Sequence, residues 1–322
     1  MSPNIYPVLT LPNEIIFQIF IHFIPVYPAC SPFAGPNSPL LLTHICGKWR
    51  EIAIATPELW RAVSLSGACS AYDPNDMWLN RAGQSLLSIR IIAEEGCSLD
   101  VPFAATIPHA SQWEYFHLRL GQEEPHFPDV DCSLPLLRHV DLDFENDLPI
   151  EEFLVFNDSP SMRSGTLNGA ASRSVLLPWL QLTSLFLHDV RSSHCVHILR
   201  EAINLNNCRL DLLSFVFEPS EPPVILPDLR RFELNGNRLT SACLDSFVLP
   251  ALSRFDVSQT VLEPRPIDAL ESFVSKSGCK LHRLVIHGAS SYDQYRTAFP
   301  SIRNFGPSAE LDEADFLWNR DA

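Results

Sequence analysis

The amino-acid sequence predicts an α/β protein, in which an N-terminal helical bundle precedes an irregular solenoid with a parallel β-sheet. Three observations support this fold class. The N-terminal segment carries apolar residues at helical spacing, later segments repeat one strand-like pattern, and a hydrophobic fraction of 46% is typical of a folded chain. We expect one domain at residues 5–66, a second at 80–306, and an acidic tail at 307–322.

The first predicted helix begins near Leu11 and runs to about Ile24. Thr10 or Leu11 can cap this helix, and Pro12 stands in its first turn, where a backbone N–H is not needed. Its apolar residues form two rows of four-residue spacing: Ile15, Ile19 and Phe23, and Ile16, Phe20 and Ile24. Because two rows exceed what one small core buries, we expect one row to pack inside and the other to face a partner.

A proline-rich loop at residues 25–39 is predicted to separate this helix from two shorter ones. Helical spacing of apolar residues resumes at Leu40, and Gly47 is expected to break the segment into two helices. The Thr56-Pro57 dipeptide ends the helical region, because the residue before a proline disfavours helical geometry. Trp60 then follows as a large apolar anchor.

Beyond about residue 80 the chain repeats a strand-like pattern. Full copies of Leu-Pro-x-Leu-x-x-apolar-x-apolar begin at Leu134, Leu226 and Leu249. Shorter copies of its second half begin at Leu86, Trp113, Leu182, Leu212 and Leu281, and a weak copy begins at Met162. The variable spacing suits parallel strands joined by irregular returns and not a propeller or a helical array. One return, from Ile267 to Val274, is predicted to be a helix.

Charge and cysteine content restrict the class of protein. A net charge of −15 disfavours nucleic acid as a partner, because an acidic protein repels phosphates. Nine cysteines without a Cys-x-x-Cys pair favour reduced thiols in a cytoplasmic or nuclear protein. The apolar run from Ile15 to Val26 is too short to cross a bilayer, and no Lys or Arg precedes Lys48. We therefore expect neither a membrane anchor nor a signal peptide.

Motifs of catalysis and cofactor binding are weak or missing. The sequence has no nucleophile elbow, phosphate-binding loop or dinucleotide-binding motif. His194 and His197, with His188 nearby, lack a fourth ligand at metal-site spacing, so we expect no metal. Asp141 and Asp143 lack the glycine of a calcium loop and are expected to be solvated. We therefore expect neither an enzyme nor a cofactor, although catalytic residues far apart in sequence stay an alternative.

The N-terminal block resembles the F-box family, and the whole chain resembles F-box proteins with divergent leucine-rich repeats, which are numerous in mushroom-forming fungi. The matching residues agree in order, spacing and type: Leu11, Pro12, Glu14, Ile15, Ile19, Phe20, Leu42, Ile45, Cys46, Trp49, Arg50, Ala53, Pro57, Leu59 and Trp60. The repeats, including residues 177–185, match that group's C-terminal half less specifically.

This resemblance implies a substrate receptor of an SCF-type ubiquitin ligase. The F-box would bind the Skp-type adaptor of a cullin–RING ligase, and the repeats would bind a protein substrate for degradation. By analogy, eight residues would contact the adaptor or form the core beneath it: Leu11, Pro12, Ile15, Ile19, Phe20, Leu42, Ile45 and Trp49. A non-degradative F-box scaffold and a repeat-domain enzyme or ligand receptor are the alternatives.

The candidate substrate-binding residues are Arg231, Arg254 and Arg283, which occupy the same position in three strand motifs. Parallel strands lie about 4.8 Å apart, so we expect these arginines to be neighbours on one sheet face. Two interpretations follow. The arginines form a basic strip for an acidic or phosphorylated peptide, or Glu233 and Asp256, two residues further along, neutralise them.

Overall fold

The computed structural model shows an α/β protein with a large parallel sheet. It describes residues 10–66, 75–93, 99–121, 132–146, 154–156, 158–214, 222–236, 239–289 and 291–306. These residues fall into two compact units, the first made of 10–138 and 158–161 and the second of 139–156 and 162–306. The predicted acidic tail lies outside the described residues. Among the described residues, no helix combines the length and apolarity needed to cross a bilayer.

The first unit begins with helices and continues with parallel strands. Its helices are α1 (Asn13–Phe23), α2 (Pro39–Ile45), α3 (Gly47–Ile54), α4 (Asn75–Ala82) and α5 (Asp100–Thr106), with 3-10 turns at Pro57–Leu59 and Ile107–Gln112. Its strands are β1 (Ala62–Ser66), β2 (Leu87–Ala93) and β3 (Trp113–Leu120). β2 pairs with β1 on one side and β3 on the other, both in parallel.

The predicted break between the two short helices is confirmed. Cys46 adopts an extended conformation with φ of −158° and separates α2 from α3, and its Sγ accepts a hydrogen bond from the Trp49 N–H. Ser38 caps α2 by accepting from the Leu40 N–H. The predicted capping of α1 by Thr10 or Leu11 is wrong, because Pro12 itself precedes the first helical residue and supplies no side-chain cap.

A buried indole joins two helices of the first unit. Trp60 is 0% exposed, and its Nε1 donates to the Ala53 carbonyl at 2.8 Å, at the end of α3. The Trp60 ring meets that of Trp78 on α4 edge-to-face, with centroids 5.2 Å apart. Trp60 therefore packs against both α3 and α4, in agreement with its predicted role as an apolar anchor.

The proline-rich loop is fastened to the strands of the first unit. Ser31 forms an isolated parallel bridge with Val63 of β1. The Ser88 hydroxyl of β2 donates to the Pro28 carbonyl at 2.7 Å. The Tyr27 hydroxyl donates to Glu114 Oε2 of β3 at 2.8 Å. Hydrogen bonds from three strands thus hold a segment that the sequence alone describes only as irregular.

The second unit contains the remaining strands. In chain order they are β4 (His139–Phe144), β5 (Leu154–Val155), β6 (Ser164–Asn168), β7 (Val175–Leu176), β8 (Ser184–Arg191), β9 (Asn207–Ser214), β10 (Val224–Ile225), β11 (Arg231–Asn235), β12 (Phe247–Val248), β13 (Arg254–Ser258), β14 (Arg283–His287) and β15 (Asn304–Phe305). The order of the main sheet is β4, β6, β8, β9, β11, β13, β14, β15. β5 pairs with β7, and β10 pairs with β12, in two small parallel ladders.

The connections between these strands are helical or irregular. The helices are α6 (Gly169–Arg173), α7 (Ser192–Glu201), α8 (Gln259–Leu262), α9 (Pro266–Ser277) and α10 (Asp293–Ala298), with 3-10 turns at Trp179–Gln181 and Ser241–Ser246. The predicted helix at 267–274 is confirmed within α9. Pro266 begins α9, and Gly278 ends it with a left-handed φ of 65° that favours glycine.

The apolar residues of the repeated strand pattern form the core between the main sheet and the segments that connect its strands. Equivalent apolar positions stand in register, as Phe232 of β11 does opposite Phe255 of β13. Their rings stack with centroids 5.8 Å apart, and Phe255 also meets Phe273 of α9 at 5.2 Å. These three side chains are at most 1% exposed. Matched apolar positions on adjacent parallel strands therefore form continuous rows beneath the helices.

One predicted strand was misplaced. The sequence pattern put a copy at Leu212, but β9 spans Asn207–Ser214 and the copy begins at Leu205, with Cys208 and Leu210 at its apolar positions. Cys208 is 0% exposed and takes the place that an aliphatic or aromatic residue holds elsewhere. The predicted continuation through Phe215 lies outside the described residues. Strands form at the other predicted copies, and β1 of the first unit and β15 of the second unit are further strands.

Candidate protein-binding surfaces

The two apolar rows of α1 have different surroundings, as their spacing predicted. Ile16 and Phe20 are 0% exposed and form part of the core. Ile15 and Ile19, which belong to the other row, are 47% and 40% exposed. An isoleucine row that is almost half exposed on a helix whose other row is buried leaves apolar surface for a partner.

Exposed apolar side chains continue on α2. Ile45 is 54% exposed, and Leu41, one turn earlier, is 44% exposed. The Lys48 ammonium group donates to the Leu11 carbonyl at 3.0 Å, which joins the start of α3 to the start of α1. Leu41 is not among the eight candidate adaptor-binding residues predicted from the sequence. Its spacing of four residues from Ile45 places both side chains on one face of α2 and could have identified it.

The structure divides the eight candidate adaptor-binding residues into surface and core. Pro12, Ile15, Ile19 and Ile45 are exposed, and Leu11 is half-buried. The remaining three are Phe20, Leu42 and Trp49. Phe20 and Leu42 are buried, whereas Trp49 is half-buried and its ring lies edge-to-face on Phe20, with centroids 5.0 Å apart.

The proline-rich loop leaves the exposed face of α1 uncovered. Tyr27 is directed to the strands, where the Arg61 guanidinium lies 3.9 Å from the centroid of its ring and Glu114 accepts a hydrogen bond from its hydroxyl. Burial, together with the bond to Glu114, raises the pKa of Tyr27 well above its ordinary value, so the hydroxyl remains a donor at neutral pH. Ile15 and Ile19 keep their exposure with the loop in place.

The three candidate arginines of the second unit stand side by side. Arg231 of β11 is in register with Arg254 of β13, which is in register with Arg283 of β14. Asn207 and Asn304 occupy the same position on the strands beyond them. The predicted ladder of neighbours therefore exists on the face opposite the core, which we call the polar face.

An acidic side chain neutralises Arg254, the middle arginine of this ladder. Arg254 Nε and Nη2 donate to the Asp256 carboxylate at 3.0 and 2.7 Å, and these side chains are only 13% and 4% exposed. Arg209 of β9 lies 3.4 Å from Glu233 and 3.3 Å from Asp211. The Arg254–Asp256 pair supports neutralisation of that arginine, whereas Glu233 contacts Arg209 and not an arginine of the ladder. Sequence reasoning missed Arg209, because it placed the copy on Leu212 instead of Leu205.

The expectation that Asp141 is solvated is wrong. Asp141 is 1% exposed and stands in register with Thr166 on the adjacent strand. Asp143 is half-buried and accepts from Asn168 Nδ2 at 2.7 Å. Side chains on parallel strands about 4.8 Å apart cover one another, so a sheet face can be polar and still be shielded from water.

The histidines that suggested a metal site have separate partners. His188 Nδ1 lies 3.1 Å from Asp189 Oδ2, and His194 Nε2 lies 2.8 Å from the Ser172 carbonyl. His197 Nε2 lies 3.4 Å from Glu201 on the same helix. Within the described ranges, no group of three His, Cys, Asp or Glu side chains is placed to hold a metal ion.

Neither family models nor curated proteins match this chain. Its functional interpretation therefore depends on the order and spacing of the sequence motifs and on the surfaces described above.

Proposed function

We propose that this chain is a non-catalytic substrate-recruiting subunit of a cullin-type (SCF) ubiquitin ligase. In this proposal α1–α3 form an F-box that binds the Skp-type adaptor, and the strands that follow belong to an irregular leucine-rich-repeat-like solenoid that binds a protein target. The exposed isoleucine row of α1, within helices whose sequence resembles an F-box, is the observation that carries the proposal.

The energetics of the exposed row support a partner. Fully burying an isoleucine side chain contributes about 1.5–3 kcal/mol, and Ile15, Ile19 and Ile45 are each about half exposed in the chain alone. Covering all three therefore stabilises a complex by a few kcal/mol before the costs of association are subtracted.

The position of the proline-rich loop also supports adaptor binding. Residues 25–39 are inserted between two helices of the proposed binding surface. An insertion at this place can block such a surface. Its contacts with β1, β2 and β3 hold it against the strands, and Ile15 remains 47% exposed. The adaptor surface is therefore accessible with the insertion folded.

The proposed target site is the polar face around Arg231, Arg254 and Arg283. Arg254 is already paired with Asp256, so a uniformly acidic ligand gains little from it and meets the Asp256 carboxylate. A target surface that carries both donors and acceptors matches this alternation of charge better. Arg283, whose Nη2 donates to the Gly306 carbonyl at 3.3 Å, is the half-buried end of the ladder.

Co-purification with the Skp-type adaptor tests the proposal. We expect the wild-type chain to bind, and the Ile15→Asp/Ile19→Asp double variant to lose binding with its fold intact, because both side chains are already in contact with water. Val101→Asp is the matched control, since Val101 is 52% exposed on α5. Circular dichroism checks folding. An intact wild-type chain that fails to bind the adaptor would exclude the F-box interpretation.

Proteasome inhibition separates a degradative from a scaffolding role. If the chain recruits targets for degradation, proteins bound to its polar face accumulate when the proteasome is inhibited, and the Ile15→Asp/Ile19→Asp variant accumulates them without inhibitor. If neither treatment changes the level of the bound proteins, the scaffold alternative is favoured.

A further inference from the structure

Lysine is rare in this chain. Of its 23 basic residues 20 are arginines, and lysine stands only at positions 48, 276 and 280. All three lysines lie within the described residues. Arginine carries the same charge as lysine, but only lysine has a primary amine to which ubiquitin is joined. The chain therefore offers a ubiquitin ligase few acceptor side chains, and the structure shows the surroundings of each.

Lys48 stands near the start of α3, within the helices proposed to bind the adaptor. It is half-buried, and its ammonium group donates to the Leu11 carbonyl at 3.0 Å. Leu11 is itself a candidate adaptor-binding residue. An adaptor bound to these helices therefore covers the Lys48 amine, and the bond to Leu11 holds the amine against the chain.

Lys276 lies in the last turn of α9. Its side chain is exposed, and its ammonium group donates to the Asp245 carbonyl in the 3-10 turn at Ser241–Ser246. A cation in the last turn of a helix also interacts favourably with the helix dipole. Joining ubiquitin to this amine would convert it to a neutral amide, so the interaction with the dipole would be lost.

Lys280 differs from the other two lysines because its amine is unengaged. Its side chain is exposed and makes no hydrogen bond or ion pair within the described ranges. Gly278 ends α9, and Cys279 and Leu281, on either side of Lys280, are only 7% and 6% exposed. The neighbouring side chains therefore anchor the backbone, while the Lys280 side chain is open to solvent.

Lys280 also lies beside the proposed target site. It precedes Arg283 by three residues, and Arg283 is in register with Arg254 on the polar face. Because a fully extended chain spans at most about 3.6 Å per residue, the α-carbons of Lys280 and Arg283 are at most about 11 Å apart. A ligase that delivers ubiquitin to a target on this face brings the ubiquitin thioester into the same region.

We infer that Lys280 is the site at which the ligase modifies this chain itself when no target is bound. The inference rests on the proposed function. The neutral Lys280 amine attacks the thioester that joins the C-terminus of ubiquitin to a cysteine of the conjugating enzyme. A C–N isopeptide bond forms, the C–S bond breaks, and the cysteine leaves as a thiol with the proton that the nitrogen releases. A bound target brings its own lysines to the thioester and diverts ubiquitin from Lys280.

Ubiquitination of the full-length chain in a reconstituted ligase tests this assignment. The chain, bound to the adaptor and the cullin–RING ligase, is supplied with activating and conjugating enzymes, ATP and a ubiquitin whose lysines are replaced by arginine, so that each acceptor gains one ubiquitin. We expect one ubiquitin per chain, and mass spectrometry after trypsin digestion should find its Gly-Gly remnant on Lys280. Lys280→Arg should lose this product, whereas the matched controls Lys48→Arg and Lys276→Arg should keep it.

The outcomes separate this assignment from the proposed function. A product that persists in Lys280→Arg at the wild-type level, or a remnant found on Lys48 or Lys276 in place of Lys280, overturns the assignment. The Ile15→Asp/Ile19→Asp variant should receive no ubiquitin, because it does not bind the adaptor. A wild-type chain that fails to bind the adaptor contradicts the proposed function. A chain that binds the adaptor and gains no ubiquitin on Lys280 contradicts only the assignment of Lys280.

Discussion

At the scale of single residues, burial separates functions that the sequence pattern leaves together. Ile19 and Phe20 are adjacent in sequence and both match the F-box pattern, yet one is 40% exposed and the other 0%. Arg254 matches a basic strip by position, yet its contact with Asp256 makes it half of an ion pair. Residue type and spacing identify the candidates, and the surroundings of each side chain decide what it can contact.

The Arg254–Asp256 pair yields a residue-scale prediction. Replacing Asp256 with Ala removes the carboxylate to which Arg254 Nε and Nη2 donate at a largely buried position, so we expect a loss of about 3–5 kcal/mol in the free energy of unfolding. The Arg254→Met/Asp256→Leu double variant should recover most of that loss, because no unpaired charge remains. Urea denaturation measures both. Similar losses in the single and double variants would show that packing, and not charge, is responsible.

At the scale of elements, the proline-rich loop shows how irregular chain can be fixed in place. Its segment from Tyr27 to Ser31 is tied to β1, β2 and β3 by side-chain and backbone contacts. The helices on either side, α1 and α2, follow periodic patterns and were predicted, whereas β1, which forms the bridge with Ser31, was not. The loop contacts Glu114, Ser88 and Val63, which lie far along the chain. No local pattern in the loop sequence therefore indicates these contacts.

Tyr27→Phe tests the anchoring of this loop. The variant removes the hydrogen bond to Glu114, a charged acceptor that is 6% exposed, so we expect a loss of about 1.5–3 kcal/mol in stability. Limited proteolysis within residues 25–39 should become faster, whereas adaptor binding through Ile15 and Ile19 should persist. Unchanged proteolysis would mean that the contacts of Pro28 and Ser31 hold the loop without Tyr27.

At the scale of the whole molecule, buried ionisable groups make stability depend on pH. Cys195 and Cys208 are 0% exposed and Cys243 is 1% exposed. Burial raises the pKa of Cys195 and of Cys243 to about 12, and it raises that of Cys208 well above the ordinary 9.0. All three thiols therefore stay neutral in the folded protein at a pH where the unfolded chain ionises.

The sign of this linkage predicts a loss of stability in alkali. Below pH 9.0 the thiols are protonated in both states, and their contribution is fully present. As pH rises from 9.0 toward about 12, only the unfolded chain releases protons, so the free energy of unfolding falls by about 1.4 kcal/mol per thiol and pH unit. The Cys195→Ala/Cys243→Ala variant should show a shallower decline in urea denaturation across this range. If the variant and the wild-type chain lose stability equally as the pH rises, ionisable groups other than these thiols are responsible.

The sequence by itself determined the α/β class with a parallel sheet, the placement of most strands, and the two short helices, whose break lies at Cys46, one residue before the predicted Gly47. These follow from local periodicity, since residues two or four apart share a face of a strand or a helix. The tertiary structure alone decided which isoleucines are exposed, that Asp256 neutralises Arg254, and that Leu205 begins a repeat. Such properties depend on contacts between residues distant in sequence, and no local pattern encodes them.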